Sequence, residues 1–285
     1  MKITLTLPTM RTRIKEGVKV DSTPDMKYYA FDWDDNIVHM PTKIIVKNEE
    51  GDEVGMSTED FAEHRNEIGK TPFKYKGDVI VGYADTPFRN FRVQGDKQFL
   101  VDAMSAKVGP AFNDFREAIN NGSILAIITA RGHNPNTLKQ ALYNYIINDF
   151  NGISKKELLK NLKKYRSFVG EDEMNDNDII KHYLDLNKYH PISFGEEGGS
   201  SSNPEEAKVR AMDDFVGYIK EMAATLNKRA FIKNDIGNKF IPKKPTIGFS
   251  DDDIRNVEVM KKHFKDKPDN IVKVYSTAGG IKKAH

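Results

Sequence analysis

Residues 28–38 read Tyr28-Tyr29-Ala30-Phe31-Asp32-Trp33-Asp34-Asp35-Asn36-Ile37-Val38. A short apolar run climbs to an aspartate, a second aspartate follows two residues later, a third adjoins it, and apolar residues then return. A brief continuous apolar run is the pattern of a buried strand. Carboxylates just past its end do not serve a core, because like charges this close repel and a buried one costs several kcal/mol unless a cation meets it. The acidic cluster therefore faces water or holds a metal, and the surrounding chain decides between the two.

Further strands read outward from this one. Ile124-Leu125-Ala126-Ile127-Ile128 stops at Thr129-Ala130-Arg131-Gly132-His133. Residues 191–194 and 246–249 follow, the latter ending in Ser250-Asp251-Asp252-Asp253, and residues 271–275 give a fifth strand. Helices are expected over 111–120, from Asn134 to about 150, from Pro204 to about 226, and around Val257, Met260 and Phe264. Strands alternating with helices predict an α/β fold, a Rossmann-like parallel sheet with helices on both faces. Such sheets bind ligands outside the carboxyl ends of their strands. Asp32, Thr129 and Asp251 all sit just past those ends.

Between these elements, residues 40–47 and 54–56 around a Gly-containing turn predict a hairpin, and Ser57 or Thr58 is placed to cap a helix from about 59. Residues 70–108 mix aromatics, Gly and Pro in no assignable pattern. Ser154 caps a basic helix (Lys155, Lys156, Lys160, Lys163, Lys164, Arg166), an acidic patch spans 171–178, and a second helix covers 179–186. This reads as a small helical insertion over 151–188. Residues 1–26 suggest a short strand and a polar lead-in, 195–203 a Gly/Ser loop, 227–243 a basic hairpin, and 278–285 a frayed tail.

Composition narrows the class. A net charge of +2 over 285 residues gives no argument for a nucleic-acid or membrane surface. The absence of cysteine excludes disulfides, thiolate catalysis and Cys-ligated zinc. The start of the chain is too poor in apolar residues for a signal peptide, and no apolar run approaches the roughly 18 residues of a membrane span. The expectation is a soluble, cytoplasmic protein without membrane partners.

The order of motifs resembles the haloacid dehalogenase (HAD) superfamily of phosphohydrolases. Asp32-x-Asp34 follows the first strand, Thr129 the second, Lys208 lies near a helix start in Pro204-Glu205-Glu206-Ala207-Lys208, and Asp251-Asp252 follows the fourth strand. The resemblance implies a HAD-like core from 1–38, 108–150 and 189–285, with insertions at 39–107 (a hairpin or mixed cap) and 151–188. It implies that Asp32 attacks phosphorus to form an aspartyl-phosphate and that Asp34 serves as acid and base. Thr129 and Lys208 would bind the phosphoryl oxygens and Arg131 the substrate, while Asp32, Asp34, Asp251 and Asp252 would surround Mg2+. Asp35 departs from the family's usual glycine and Asn36 from its usual threonine. His39 and His133 flank strand ends and read as surface imidazoles.

The substrate implied is a phosphomonoester, either a small molecule such as a nucleotide or a nucleic-acid end. Two other readings stand beside it: a catalytically weak HAD-like binding or structural module, and a metal-dependent nuclease using the same carboxylates. Nothing in the sequence fixes the oligomeric state.

Overall fold

The computed structural model describes residues 26–169, 174–193, 203–233, 244–269 and 271–284. The chain begins with β1 (Met26–Phe31) and then passes through β2 (Val38–His39), β3 (Ile44–Asn48), β4 (Glu53–Met56), α1 (Thr58–His64), β5 (Phe73–Tyr75) and β6 (Asp78–Tyr83). Next come α2 (Asp96–Ser105), β7 (Lys107–Val108), α3 (Phe112–Asn120), β8 (Leu125–Thr129) and α4 (Pro135–Ile147). The rest comprises α5 (Lys155–Val169), α6 (Asp176–Leu186), β9 (Lys188–Pro191), α7 (Pro204–Lys233), β10 (Pro245–Asp251), α8 (Ile254–Phe264), β11 (Val272–Ser276) and β12 (Lys283–Ala284).

A six-stranded sheet of order β12-β11-β10-β1-β8-β9 forms the centre, parallel except for β12 at one edge. The continuous apolar runs of β1 and β8 are explained by burial on both faces. Phe31, Leu125 and Ile127 point to α3, α4, α5 and α6, whereas Tyr28, Ala30, Ala126 and Ile128 point to α7 and α8. Each of the Phe, Leu and Ile side chains among them, fully buried, contributes roughly 1.5–3 kcal/mol. The expected mixed α/β architecture with helices on both faces is therefore present. The parallel register also brings the carboxyl ends of β1, β8 and β10 side by side.

Residues 39–107 leave and re-enter this layer through a two-stranded ribbon, with Val38 opposite Val108 and His39 opposite Lys107. Between those ends lies an antiparallel sheet of order β4-β3-β6-β5, with the expected hairpin as β3–β4. It closes on its own small core of Val46, Met56, Ile68, Tyr75 and Ile80. Ser57 caps α1, its hydroxyl accepting from the Asp60 amide. Helix α2, by contrast, sends Phe99 and Ala103 into the main core.

Several expectations need correction. α5 and α6, expected as a small helical insertion, pack into the main core: Leu158, Leu162, Ile179 and Tyr183 share one apolar cluster with Phe31, Phe115 and Tyr145. The third strand lies at Lys188–Pro191, earlier than residues 191–194. It is an edge strand whose Lys188, Tyr189 and His190 are only half-buried, so its apolar signal is weak. The proposed basic hairpin over 227–243 gives way at its start to α7, which continues to Lys233 with no proline after Pro204 to stop it; residues 234–243 lie outside the described residues. The tail adds β12 to the sheet edge instead of fraying. The lead-in before Met26 and the loop over 195–202 also lie outside the described residues. Among the described residues, no helix is long and apolar enough to cross a membrane.

Candidate functional site

The first strand delivers its aspartates by a tightly tied turn. The Asp32 amide still donates to the Ser250 carbonyl at 3.0 Å, so this residue stays in register with β10. Trp33 turns into the core and stacks on Tyr145, with centroids 5.8 Å apart and planes 9° apart. Asp32 and Asp34, on either side of it, line the cleft. Asp35 takes the left-handed conformation (φ 54°) that glycine would adopt freely; its carboxylate binds the exposed His39 at 2.9 Å and accepts from the Thr58 hydroxyl.

Asn36 is fully buried and closes the turn. Its Nδ2 donates to the Asp32 and Ser250 carbonyls at 3.1 and 3.0 Å, and its Oδ1 accepts from Thr277 Oγ1 at 2.7 Å. A threonine could not span these three partners, which accounts for an asparagine here. Gly109 abuts the turn so closely that a Cβ would lie 2.6 Å from the Asn36 carbonyl oxygen.

Asp32, Asp251 and Asp252 offer carboxylate oxygens within 4.8 Å of one another, a set that could hold a metal ion. Lys208, 3% exposed, reaches in from the first turns of α7. Its Nζ donates to Asp32 Oδ1 at 2.8 Å and to Asp251 Oδ2 at 2.6 Å. The other Asp251 oxygen accepts from Asn256 Nδ2 at 3.0 Å and from the Asp253 amide at 2.9 Å. Burial, with repulsion from Asp251, pushes the Asp252 carboxyl up to about 9. Burial raises Asp32 to about 8, with Lys208 pulling against it and Asp251 and Asp34 adding to it. Burial alone would lower the Lys208 ammonium, but Asp251 and Asp32 outweigh it and hold the group well above its ordinary value. Three carboxylates share one ammonium here, so this cluster is short of positive charge. Oxygen donors of this kind suit a hard divalent cation.

Asp34 is outside this three-carboxylate group. It was expected in the metal set; the structure places it against Arg131, which is 1% exposed and grips it with a two-pronged fork. Nε donates to Asp34 Oδ2 at 2.8 Å and Nη2 to Oδ1 at 2.7 Å. The guanidinium lies 4.4 Å from the Phe91 ring centroid and 5.0 Å from that of Phe99. Arg131 thus lines the cavity with two of its N–H groups on Asp34, and so positions that carboxylate; substrate contact was the expectation. Thr129, also buried, accepts from the Arg131 amide at 3.3 Å and lines the same cavity.

The chain of partners continues inward. His133 Nε2 lies 3.2 Å from Arg131 Nη1, and its Nδ1 lies 2.7 Å from Asp96 Oδ1. Thr137 donates to the other Asp96 oxygen at 2.8 Å. His133 is therefore fully buried beside Phe99, where a surface imidazole was expected. Burial and the Arg131 charge push its imidazole down to about 4, against the pull of Asp96. An imidazole with a depressed pKa gives stability that is whole above about 6.5, where the unfolded chain is also neutral. That stability is lost as pH falls toward 4, because only the unfolded chain then takes the proton. A His133→Gln variant keeps the hydrogen-bonding groups and does not titrate. Between pH 7 and 4.5 the wild type is expected to lose roughly 2–3 kcal/mol more unfolding free energy than the variant, as read by urea titration at both pH values.

These residues open into one cavity of about 370 Å3 at the carboxyl edge of the sheet. Asp32, Asp34, Thr129, Arg131, Lys208, Asp251 and Asp252 all line it, so the seven residues assigned to the site from the sequence are brought to one place. Segment 39–107 roofs it through Phe61, Tyr83, Phe88 and Arg92, none of which the sequence reading singled out. The interleaved Phe88-Arg89-Asn90-Phe91-Arg92 was the available signal. The described residues of 151–188 do not line this cavity; α5 and α6 instead border a larger, apolar cavity of about 450 Å3 beside the amino ends of β1 and β8. That cavity lacks a carboxylate cluster of this kind, so the smaller one is the candidate site. Compared with protein-family models, curated proteins and solved structures, the chain matches none.

Proposed function

We propose that this protein is a magnesium-dependent phosphomonoesterase of the HAD kind that works through an aspartyl-phosphate on Asp32. One observation carries the reading: a buried lysine bonded to both Asp32 and Asp251, at the mouth of three adjacent strands, beside a third carboxylate and a threonine. Phosphoryl transfer asks the protein mainly for positioning and for neutralisation of charge spread over three oxygens. Lys208 and the Thr129 hydroxyl meet that need.

In the first step a carboxylate oxygen of Asp32 forms a bond to phosphorus while the ester P–O bond breaks, and the leaving oxygen takes a proton from Asp34. In the second, water attacks phosphorus, Asp34 takes back the proton, and the acyl phosphate bond breaks to give inorganic phosphate and free Asp32. Asp34 enters the first step protonated, with one oxygen released from the Arg131 fork, and that fork orients the carboxylate that takes the proton back in the second step. Asp32, Asp251 and Asp252 would hold Mg2+, which offsets the repulsion between the carboxylates and the incoming phosphate.

Phosphate release from an aryl phosphate tests the reading. Turnover is expected with Mg2+, to cease on chelation, and to return when Mg2+ is restored. Turnover that persists in excess chelator contradicts it.

A further inference from the structure

We infer that the ester taken by this site is a nucleoside phosphate, whose phosphate lies at Asp32 and whose base lies against the aromatic roof. The inference rests on the phosphomonoesterase reading and gives its substrate a class. Phe61, Tyr83 and Phe88 meet one another at centroid distances of 6.4, 5.6 and 6.2 Å and all line the cavity. They are not sealed into the small core of the antiparallel sheet: Tyr83 is 38% exposed and the other two are half-buried. Their planes meet at 61°, 83° and 43°, edge to face or tilted, so the platform is stepped and a flat base would stack on one ring, the exposed Tyr83; stacking of this kind contributes about 5- to 150-fold in affinity per base.

A fixed cation lies beside the platform. The cavity holds three arginines besides Arg131. Arg65 is neutralised by Glu205 at 2.8 Å and Arg255 by Asp253 at 2.8 Å. Arg92 has no carboxylate partner among the described residues; its Nη1 donates to the Ser193 carbonyl at 2.7 Å. The side chain is threaded past Gly132, where a Cβ would lie 2.5 Å from Nη1 and 2.7 Å from the Ser193 oxygen. A guanidinium held this way keeps donors free for phosphate oxygens or for the acceptors on a base edge. The roof segment also lines the cavity with Thr58, Asn66 and the Tyr83 hydroxyl, groups that can meet the sugar of a nucleoside. Aromatic surface together with a fixed cation suits its base and phosphates.

The test is binding to the Asp32→Asn variant with Mg2+, read by calorimetry, so that ligand choice is measured apart from turnover. The ligands are thymidine 3′-monophosphate, a 3′-phosphorylated tetrathymidylate, ribose 5-phosphate and O-phosphotyrosine. Both thymidylates are expected to bind at least about 10-fold tighter than ribose 5-phosphate. That excess is expected to collapse in a Tyr83→Ala background and to survive in Tyr83→Phe, which keeps the ring at a rim position that tolerates change. A strand end shows as a further gain for the tetramer that Arg92→Gln removes; a free nucleotide shows as equal affinity for the two thymidylates. Ribose 5-phosphate or phosphotyrosine binding as tightly as the thymidylates overturns the inference. Thymidylate preference without phosphate release by the wild type would overturn the catalytic reading and leave the inference standing.

Discussion

Replacing Asp32 by asparagine is expected to abolish turnover while leaving the fold intact. The side chain keeps its shape, so it still fits beside Lys208, but an amide cannot attack phosphorus. Loss of a covalent nucleophile costs several orders of magnitude in kcat, about 10^4 or more. Stability moves the other way. Asp32 is a buried carboxyl pushed up to about 8 by desolvation and by its acidic neighbours, so the ionised form is held at a cost in the metal-free protein. Removing that charge leaves Lys208 paired with Asp251. The variant is therefore expected to melt no lower than the wild type in chelator at pH 8, by calorimetric scan. Lower stability with activity retained would show that Asp32 serves the fold and not the reaction. The pattern is that of a site whose function is maintained at some expense to the fold.

Lys208→Met gives the second large effect, in both stability and rate. Methionine fills the same channel through the core face of α7 but brings no charge, so Asp32 and Asp251 lose their shared cation in a buried pocket. Breaking a buried pair by removing one partner typically costs roughly 3–5 kcal/mol. Phosphate release falls as well, by about 10^2–10^3, because one fixed donor to the developing charge is gone. Added Mg2+ is expected to recover part of the stability, since a divalent ion supplies the missing charge, but not the rate. Lys208→Arg does not rescue either property: the pocket is closed around an ammonium whose Nζ lies 2.6 and 2.8 Å from two carboxylates. Urea titrations with and without Mg2+, beside steady-state assays, measure both. An unchanged unfolding free energy would place Lys208 outside the electrostatics described here.

Much of the site can be read from the sequence because the architecture does the gathering. Once β1, β8 and β10 are seen as strands buried on both faces, parallel connection forces Asp32, Thr129 and Asp251 to one edge. Lys208 is different: it stands 43 residues before Asp251 on a different element, and only the motif order pointed to it. What stayed hidden is what depends on tertiary packing. His133 follows a strand in sequence, but Phe99, from a segment with no readable period, covers it. Arg131 looks like a free cation until its fork to Asp34 is seen. The roof lies in short irregular turns, and β3 shifts register against β6 between Lys47 and Asn48, so no alternation runs long enough to announce it. Helices α5 and α6 looked detached because charge dominates their composition, yet one face of each is core.

The most direct measurement of the central claim is chemical trapping during turnover. The wild type would be quenched in acid within the first turnover of an aryl phosphate, reduced with borohydride, digested and mapped by mass spectrometry. Reduction turns an aspartyl-phosphate into homoserine, so the account predicts homoserine at position 32 and aspartate at 34, 251 and 252. Phosphate released with residue 32 unmodified throughout, or an acyl phosphate trapped on another carboxylate, would contradict it.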